Sequence, residues 1–204
     1  MKRIHLTLVL VTAVFVAGVA ARANAGPIGT LEVNLGYVKS SDEVTVDGES
    51  LGGGIGFGAS YWRGASPMVS WGAEVSMDNL GKVEASYVDP FTLETVNEEL
   101  SAKMIRITPA IRVNFGSMVG PNFFAQGGAG LYNVSADYRY QDTSGASFEA
   151  DDSSSEFGFN LGAGVGFPVG PKTRMNVQGQ YHSVATEGES TSYLAVRAGI
   201  GFGL

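Results

Sequence analysis

The sequence predicts an all-β protein: a single eight-stranded antiparallel β-barrel that crosses a membrane and is preceded by a cleaved signal peptide. Two observations predict this fold. Eight segments alternate apolar and polar residues, which is the period-two pattern of strands with two unlike faces. The connections between them alternate between short Gly/Pro turns and longer acidic segments, which is typical of transmembrane barrels.

The start of the chain has the three parts of a signal peptide. Lys2 and Arg3 form a basic start, and an uncharged apolar run occupies residues 6–21. An Ala-Asn-Ala sequence ends at Ala25 and places small residues three and one before a cut, so we expect cleavage between Ala25 and Gly26. The apolar run is shorter than the roughly 20 residues that a membrane-spanning helix needs.

The chain therefore divides into a signal peptide over residues 1–25 and one barrel domain over residues 26–204. All 20 acidic residues and ten of the 13 basic residues lie in the barrel domain, so its net charge is −10. This balance argues against a nucleic-acid partner. The chain has no cysteine, which excludes disulfides, thiol catalysis and cysteine-based metal sites. Glycine is abundant, with 29 residues, and long helices tolerate glycine poorly.

The eight predicted strands carry apolar side chains at alternate positions. In the fourth, Ile105 and Ile111 share one face, whereas Arg106 and Arg112 share the other. In the fifth, the apolar residues change parity after Leu131, which predicts either a bulge or a strand that leaves the membrane. The predicted strands are Thr30–Lys39, Ser50–Trp62, Val69–Asn79, Ala102–Phe115, Asn122–Tyr138, Glu156–Phe167, Arg174–Ser183 and Ser192–Leu204.

The predicted connections are of two kinds. Short Gly/Pro turns occupy residues 63–68, 116–121 and 168–172. Mostly longer and more acidic segments occupy residues 40–49, 80–101, 139–155 and 184–191. In a transmembrane barrel the short turns are periplasmic and the longer loops lie outside. An even number of strands returns both chain ends to the periplasmic side.

Alternation alone also fits a soluble, ligand-carrying barrel of the lipocalin type, in which apolar residues face inward. Two features favour the membrane. The face opposite the apolar residues holds glycines and charges, which suit the narrow interior of an eight-stranded barrel. Large aromatic residues also gather beside the short turns, as in the interfacial girdle of a membrane barrel. The predicted girdle consists of Tyr61, Trp62, Trp71, Phe115, Phe123, Phe167 and Phe202.

Together these features resemble the small bacterial outer-membrane β-barrel superfamily, which includes OmpA-like and OmpX-like barrels and surface antigens. The resemblance covers the whole chain after the signal peptide. It rests on the alternating strands, on Gly/Pro turns such as the one over residues 166–171, and on the amphipathic C-terminal strand. It implies export through the periplasm to the outer membrane. It also implies contacts with outer-membrane lipids, with lipopolysaccharide and with the barrel-assembly machinery.

The polar residues on the inward face are the candidate functional residues. Charges in a narrow lumen are expected to pair, because an isolated buried charge is very costly. We expect Glu74 to lie close to Arg106 and Arg112, and Glu32 to pair with Arg197 across the barrel closure. Such pairing predicts a lumen plugged by salt bridges, with a gated ion path as the alternative. The predicted lumen network consists of Glu32, Glu74, Arg106, Arg112, His182 and Arg197.

His182 is the only histidine after the predicted cleavage site. Lipid A deacylases of this barrel class use a histidine and a serine, with the serine two residues after the histidine. Here Ser183 follows His182 directly and Val184 takes the second place. Adjacent strand residues point to opposite faces. We therefore predict no catalytic residue, and neither a cofactor nor a metal ion is implied.

Acidic residues recur in the predicted loops. Hard cations bind carboxylate oxygens, but no loop has the spacing of an EF-hand. We expect solvated acidic loops, with binding of a divalent cation or of an extracellular partner as the alternatives. The residues concerned are Asp42, Glu43, Asp47, Glu49, Glu94, Glu98, Glu99, Glu149, Asp151, Asp152, Glu187 and Glu189.

Three functional hypotheses follow from the sequence. The first is a structural or surface-interaction role in the outer membrane, without enzymatic activity. The second is a narrow pore or lateral channel for small solutes, which OmpW-like relatives suggest. The third is a lipid A-modifying enzyme.

Overall fold

A computed structural model describes residues 29–41, 45–46, 49–50, 52–88, 94–116, 120–143, 147–185 and 190–204. These residues form ten β-strands, of which eight close into a barrel. No helix in this part of the chain is long and apolar enough to cross a bilayer. The strands are β1 (Thr30–Ser40), β2 (Thr45–Val46), β3 (Glu49–Ser50), β4 (Gly54–Gly64), β5 (Val69–Val88), β6 (Thr95–Gly116), β7 (Asn122–Asp142), β8 (Ser147–Pro168), β9 (Thr173–Ala185) and β10 (Ser190–Gly203).

The barrel strands are antiparallel and follow the ring order β1, β10, β9, β8, β7, β6, β5 and β4, with β4 closing on β1. Thr30 lies opposite Gly203 on β10 and opposite Trp62 on β4, so β1 joins the last strand to the second barrel strand. The short β2 and β3 form a separate hairpin. The predicted eight-stranded antiparallel barrel is confirmed. The predicted signal peptide and its cleavage site between Ala25 and Gly26 lie outside the described residues.

The barrel strands fall into two length classes. β1, β4, β9 and β10 have 11 to 14 residues, whereas β5 to β8 have 20 to 22. A strand needs about 9–11 residues to cross a bilayer, so β5 to β8 continue well beyond it. We call this part the sheet extension; it comprises residues 79–88, 95–103, 135–142 and 147–153. The predicted loops over residues 80–101 and 139–155 were wrong, because most of these residues are strand.

Two features explain why the alternation of apolar and polar residues in the sequence did not predict the sheet extension. A β-bulge between Asn79 and Gly81, where Gly81 has a φ of +105°, adds one residue to β5 and shifts its alternation. Leu80 keeps the inward parity of the even-numbered residues before the bulge and packs inside the barrel, whereas beyond the bulge odd-numbered residues such as Val83 point inward. In β7 the register with β6 and β8 continues past Leu131 without a bulge. The parity change there marks a strand that leaves the membrane, which was the second of the two predicted alternatives.

Within the ring, the outward face is apolar and exposed, and the inward face is polar and buried. Leu35, Phe57 and Ile111 point outward and are each more than half exposed. Glu74 and Arg106 point inward and are buried. Soluble monomers rarely expose a continuous apolar surface of this size. Lipid is the surrounding medium that suits it, and a closed ring leaves no unpaired strand edge in the bilayer.

Candidate functional site in the barrel lumen

The first layer of the lumen is built on Arg112 of β6 and Glu32 of β1. The Nη1 and Nη2 atoms of Arg112 donate to Oε1 and Oε2 of Glu32 at 2.7 and 2.9 Å. The guanidinium group also lies between the rings of Trp62 and Phe124, with its Cζ 4.1 and 4.3 Å from their centroids. Its Nε donates to Gln126 at 3.0 Å. The bidentate pair and the two ring faces together compensate a buried charge.

The second layer centres on Glu74 of β5. Arg106 Nη1 donates to Glu74 Oε2 at 3.0 Å, and Gln126 Nε2 donates to Oε1 at 2.8 Å. Gln180 reaches the same carboxylate from β9 at 3.3 Å. Gln126 also accepts from Arg112, so it connects Glu74 to that arginine through one amide group. The two layers therefore form one hydrogen-bonded network.

A third ion pair joins Arg197 of β10 to Asp78 of β5. Arg197 Nη2 donates to Asp78 Oδ1 at 2.5 Å, and the Tyr193 hydroxyl donates to Oδ2 at 3.1 Å. Three buried arginines thus balance three buried carboxylates among the described residues of the lumen. Asp78 was absent from the predicted network. Its parity matches that of Glu74, and three inward arginines against two predicted carboxylates already indicated a missing acid.

His182 lies at the next level of the lumen. Its ring stacks on Tyr193 with the centroids 4.3 Å apart, and its Nδ1 is 3.3 Å from the Tyr132 hydroxyl. Ser183 is the next residue of β9 and points to the opposite face of the strand. The histidine and the adjacent serine are therefore separated by the barrel wall.

An apolar layer lies in the lumen at this level. Its members come from six strands, and each is at most 2% exposed. The layer consists of Val38, Leu80, Met104, Tyr132, Val184, Tyr193 and Ala195.

Inward glycines provide the space for these large side chains. A Cβ atom at Gly158 would lie 2.8 Å from the ring of Tyr132, and one at Gly162 would lie 2.7 Å from Cγ of Gln180. Both distances are shorter than real Cβ contacts. Glycine at these positions therefore allows the opposing side chains to fill the barrel.

The other end of the lumen is an open vestibule of about 820 Å³. It lies at the end of the barrel that holds Leu204 and the short turns. Its walls include Glu32, Trp62, Arg112 and Arg174. No residue of the apolar layer lines it. The cavity therefore ends at the Arg112–Glu32 pair.

Comparison with known proteins identifies the family. A family model described as "Outer membrane protein beta-barrel domain" matches residues 6–203. The chain belongs to this family. It is a barrel of the bacterial outer membrane, so the predicted location is confirmed. None of the curated proteins compared with the chain matches it.

Solved structures share this architecture. Neisserial surface protein A (NspA) aligns with a TM-score of 0.55 and 10% identity, over 86% of this chain and 97% of its own. Ail, the attachment invasion locus protein of Yersinia pestis, aligns with a TM-score of 0.47 and 14% identity, over 86% of this chain and 99% of its own. The N-terminal barrel of Pseudomonas aeruginosa OprF aligns with a TM-score of 0.43 and 11% identity, over 85% of this chain and 97% of its own. At this identity the likeness to NspA concerns the fold alone.

Membership of this family indicates how the barrel is oriented in the outer membrane. In such barrels the short turns face the periplasm and the longer connections face the outside of the cell. The vestibule of this outer-membrane barrel therefore opens to the periplasm. The sheet extension lies at the opposite end and projects from the cell surface.

The six predicted lumen residues all point into the outer-membrane barrel and are buried. One predicted pair was wrong. Glu32 lies opposite Gly201, whereas Arg197 lies opposite Gly36, four residues further along β1. The expected Glu32–Arg197 pair therefore does not form, and Glu32 pairs across the lumen with Arg112 instead.

Most of the predicted girdle aromatics lie on the outward face of the outer-membrane barrel. Trp62 is the exception, because it is 3% exposed and its Nε1 donates to Ser60 at 2.9 Å and to Glu32 at 3.2 Å. Its assignment to the girdle was wrong, since Tyr61 and Trp62 are neighbours in one strand and must face opposite sides. The outward residues are Tyr61, Trp71, Phe115, Phe123, Phe167 and Phe202.

The predicted acidic loops divide into two groups. Strands of the sheet extension contain Glu98, Glu99, Glu149, Asp151 and Asp152; Glu94 directly precedes β6, and Glu49 belongs to β3. Asp42, Glu43, Asp47, Glu187 and Glu189 lie outside the described residues. Among the described residues, no group of three His, Asp or Glu side chains is arranged to hold a metal ion.

Proposed function

We propose that this protein is a closed outer-membrane barrel that anchors an extracellular four-stranded sheet, through which it contacts molecules outside the cell. The observation that carries the proposal is the filling of the lumen. Two features support it: the balanced arginine–carboxylate network and the apolar layer above it. An aqueous pore needs a continuous polar path, whereas a buried apolar layer excludes water.

The length of β5 to β8 supports the surface role. β6 and β8 each have 22 residues, about twice what a strand needs to cross the bilayer. Extra paired strand outside the membrane serves no purpose in spanning it. A rigid sheet presented on a closed barrel is a suitable support for recognition.

The proposal assigns the barrel no catalytic activity. The support is the position of His182, which is buried among tyrosines in the lumen and faces away from Ser183. A serine and a histidine that act together need hydrogen-bond contact.

Single-channel current in a planar bilayer tests the closed lumen. The refolded chain is expected to give no discrete steps, with heat-dependent migration on SDS gels as evidence that it has folded. A triple variant, Glu74→Ala, Arg106→Ala and Met104→Ala, keeps the charge balance and removes side chains from both closing layers. We expect this variant to conduct. Discrete steps from the folded wild-type barrel would overturn the proposal.

A narrow pore is the second candidate, and the vestibule favours it. This cavity already brings periplasmic solvent to the Arg112–Glu32 pair. In that case a rearrangement of the ion pairs would have to connect the vestibule to the outside. The same current recordings decide between the two candidates.

A further inference from the structure

The two faces of the sheet extension differ in charge. The inner face, which continues the lumen side of the barrel, carries Glu98, Asp142 and Asp152. Among the described residues of the extension, no basic side chain lies on this face. The basic residues lie on the outer face, each with an acidic partner: Lys82 with Glu84, Lys103 with Asp137, and Arg139 with Glu149.

Aromatic residues flank Glu98 on the inner face. Tyr87 donates to Glu98 Oε1 at 2.9 Å, and Tyr138 also hydrogen-bonds to this carboxylate. Tyr140 lies directly opposite Glu98 on β7, and Phe148 lies opposite Tyr140 on β8. We call these five residues the aromatic–acidic face. Two phenol groups thus hold one carboxylate among four aromatic rings.

The aromatic–acidic face is accessible. Phe148 is 59% exposed and Tyr87 is 39% exposed, and the other three residues are half-buried. The face lies beyond the bilayer and points toward the barrel axis. Lipid therefore does not cover it. Exposed aromatic rings grouped around a charge are unusual unless a partner contacts them.

The connections at this end of the barrel contribute no positive charge. Residues 42–44, 47–48, 89–93, 144–146 and 186–189 contain no Lys, Arg or His. They include acidic residues such as Asp42, Asp89 and Glu187. A cation that complements Glu98 must therefore come from outside these connections.

We propose that the aromatic–acidic face binds a segment of a partner polypeptide that carries lysine or arginine side chains. A cationic group placed among the rings gains cation–π attraction and pairs with Glu98 at the same time. This inference rests on the proposed surface role and specifies the partner. Negative charge without aromatic rings would attract any cation. Here the cationic group must also fit among the aromatic rings while it pairs with Glu98.

The edge of β8 indicates an extended segment. Within the part of the chain that the structure describes, residues 147–156 pair with β7 alone, because the pairing of β8 with β9 begins at Phe157. No described strand pairs with their other side, and an unpaired strand edge of this kind can accept an added strand. A strand added there would run beside Phe148 on the inner face and beside Glu149 and Asp151 on the outer face. Both faces of this edge thus favour a basic strand.

Fluorescence anisotropy with a labelled decapeptide of alternating lysine and threonine tests the proposal on the refolded full barrel in zwitterionic nanodiscs. Glu98→Gln is expected to weaken binding about tenfold, which corresponds to about 1.4 kcal/mol. Glu99→Gln is the matched control, because it removes the same charge from the outer face of the same strand. We expect this control to change Kd less than about twofold. Tyr140→Leu should also weaken binding although it leaves the charge unchanged.

Three results would overturn the inference. They are an absence of binding to the folded wild type, an equal loss in Glu98→Gln and Glu99→Gln, and full binding by Tyr140→Leu. An equal loss would mean attraction by net charge alone. The closed lumen is tested separately by current recordings, so a conducting barrel that binds the peptide and a closed barrel that does not are distinguishable outcomes.

Discussion

Arg112 and Glu32 face each other across the lumen, 80 residues apart in sequence, and are joined by two hydrogen bonds of 2.7 and 2.9 Å. Their bond links β6 to β1 through the interior, in addition to the wall of paired strands. Trp62 supports the same carboxylate from β4. This pair therefore connects three strands at the inner end of the periplasmic vestibule.

Arg112→Met is expected to destabilise the barrel by about 3–5 kcal/mol, because it leaves the Glu32 carboxylate buried without its counter-charge. Urea unfolding of the refolded protein in lipid vesicles, followed by tryptophan fluorescence, measures the change. The double variant Arg112→Met with Glu32→Gln should recover part of the loss, since neither charge remains. A single variant as stable as the wild type would show that the pair does not stabilise the fold.

The two tryptophans are expected to respond differently to lipid. Trp71 is 51% exposed on the outward face, whereas Trp62 is buried in the lumen. Brominated lipids should therefore quench Trp71 fluorescence and spare Trp62. The variant Trp71→Phe should lose most of the quenching, and Trp62→Phe should retain it. Strong quenching in Trp71→Phe would place Trp62 on the lipid side and contradict the structure.

Gly162→Ala is expected to destabilise the barrel by about 1–3 kcal/mol, because the added methyl group lies 2.7 Å from Cγ of Gln180 and from a backbone oxygen. Gly179→Ala is the matched control, since nothing lies within 4 Å of the added atom. We expect the control to change stability by less than about 0.5 kcal/mol. Comparable urea midpoints for the two variants would mean that the lumen is not filled as described.

Tyr87 is expected to ionise at a higher pH than an ordinary tyrosine. Its hydrogen bond to Glu98 raises its pKa from 10.0 to about 12. Because the folded-state pKa is raised, the stabilisation is present below pH 10 and is lost as the pH rises through about 12. Ultraviolet absorbance of the tyrosinate, taken as the difference between wild type and Tyr87→Phe, measures this titration. Glu98→Gln should return the pKa toward 10, and Glu99→Gln should leave it unchanged.

The alternation of residues predicted the strand number and the two faces of the ring. A strand in a bilayer has lipid on one side and the lumen on the other, so its side chains must alternate in polarity. Arg106 and Ile105 illustrate this, because neighbours in β6 face opposite environments. Where lipid ends, the constraint ends as well. The sheet extension and the Asn79–Gly81 bulge were therefore missed.

Parity also determined which side chains enter the lumen, but it did not determine their partners. Those depend on the stagger of the strands around the ring, which sets the height of each residue. Arg197 lies level with Gly36 rather than with Glu32, and so it pairs with Asp78. The sequence by itself thus determined a membrane barrel with a charged interior. Only the tertiary structure decided how the charges pair and that an apolar layer lies in the lumen, because both depend on side chains brought together from strands distant in sequence.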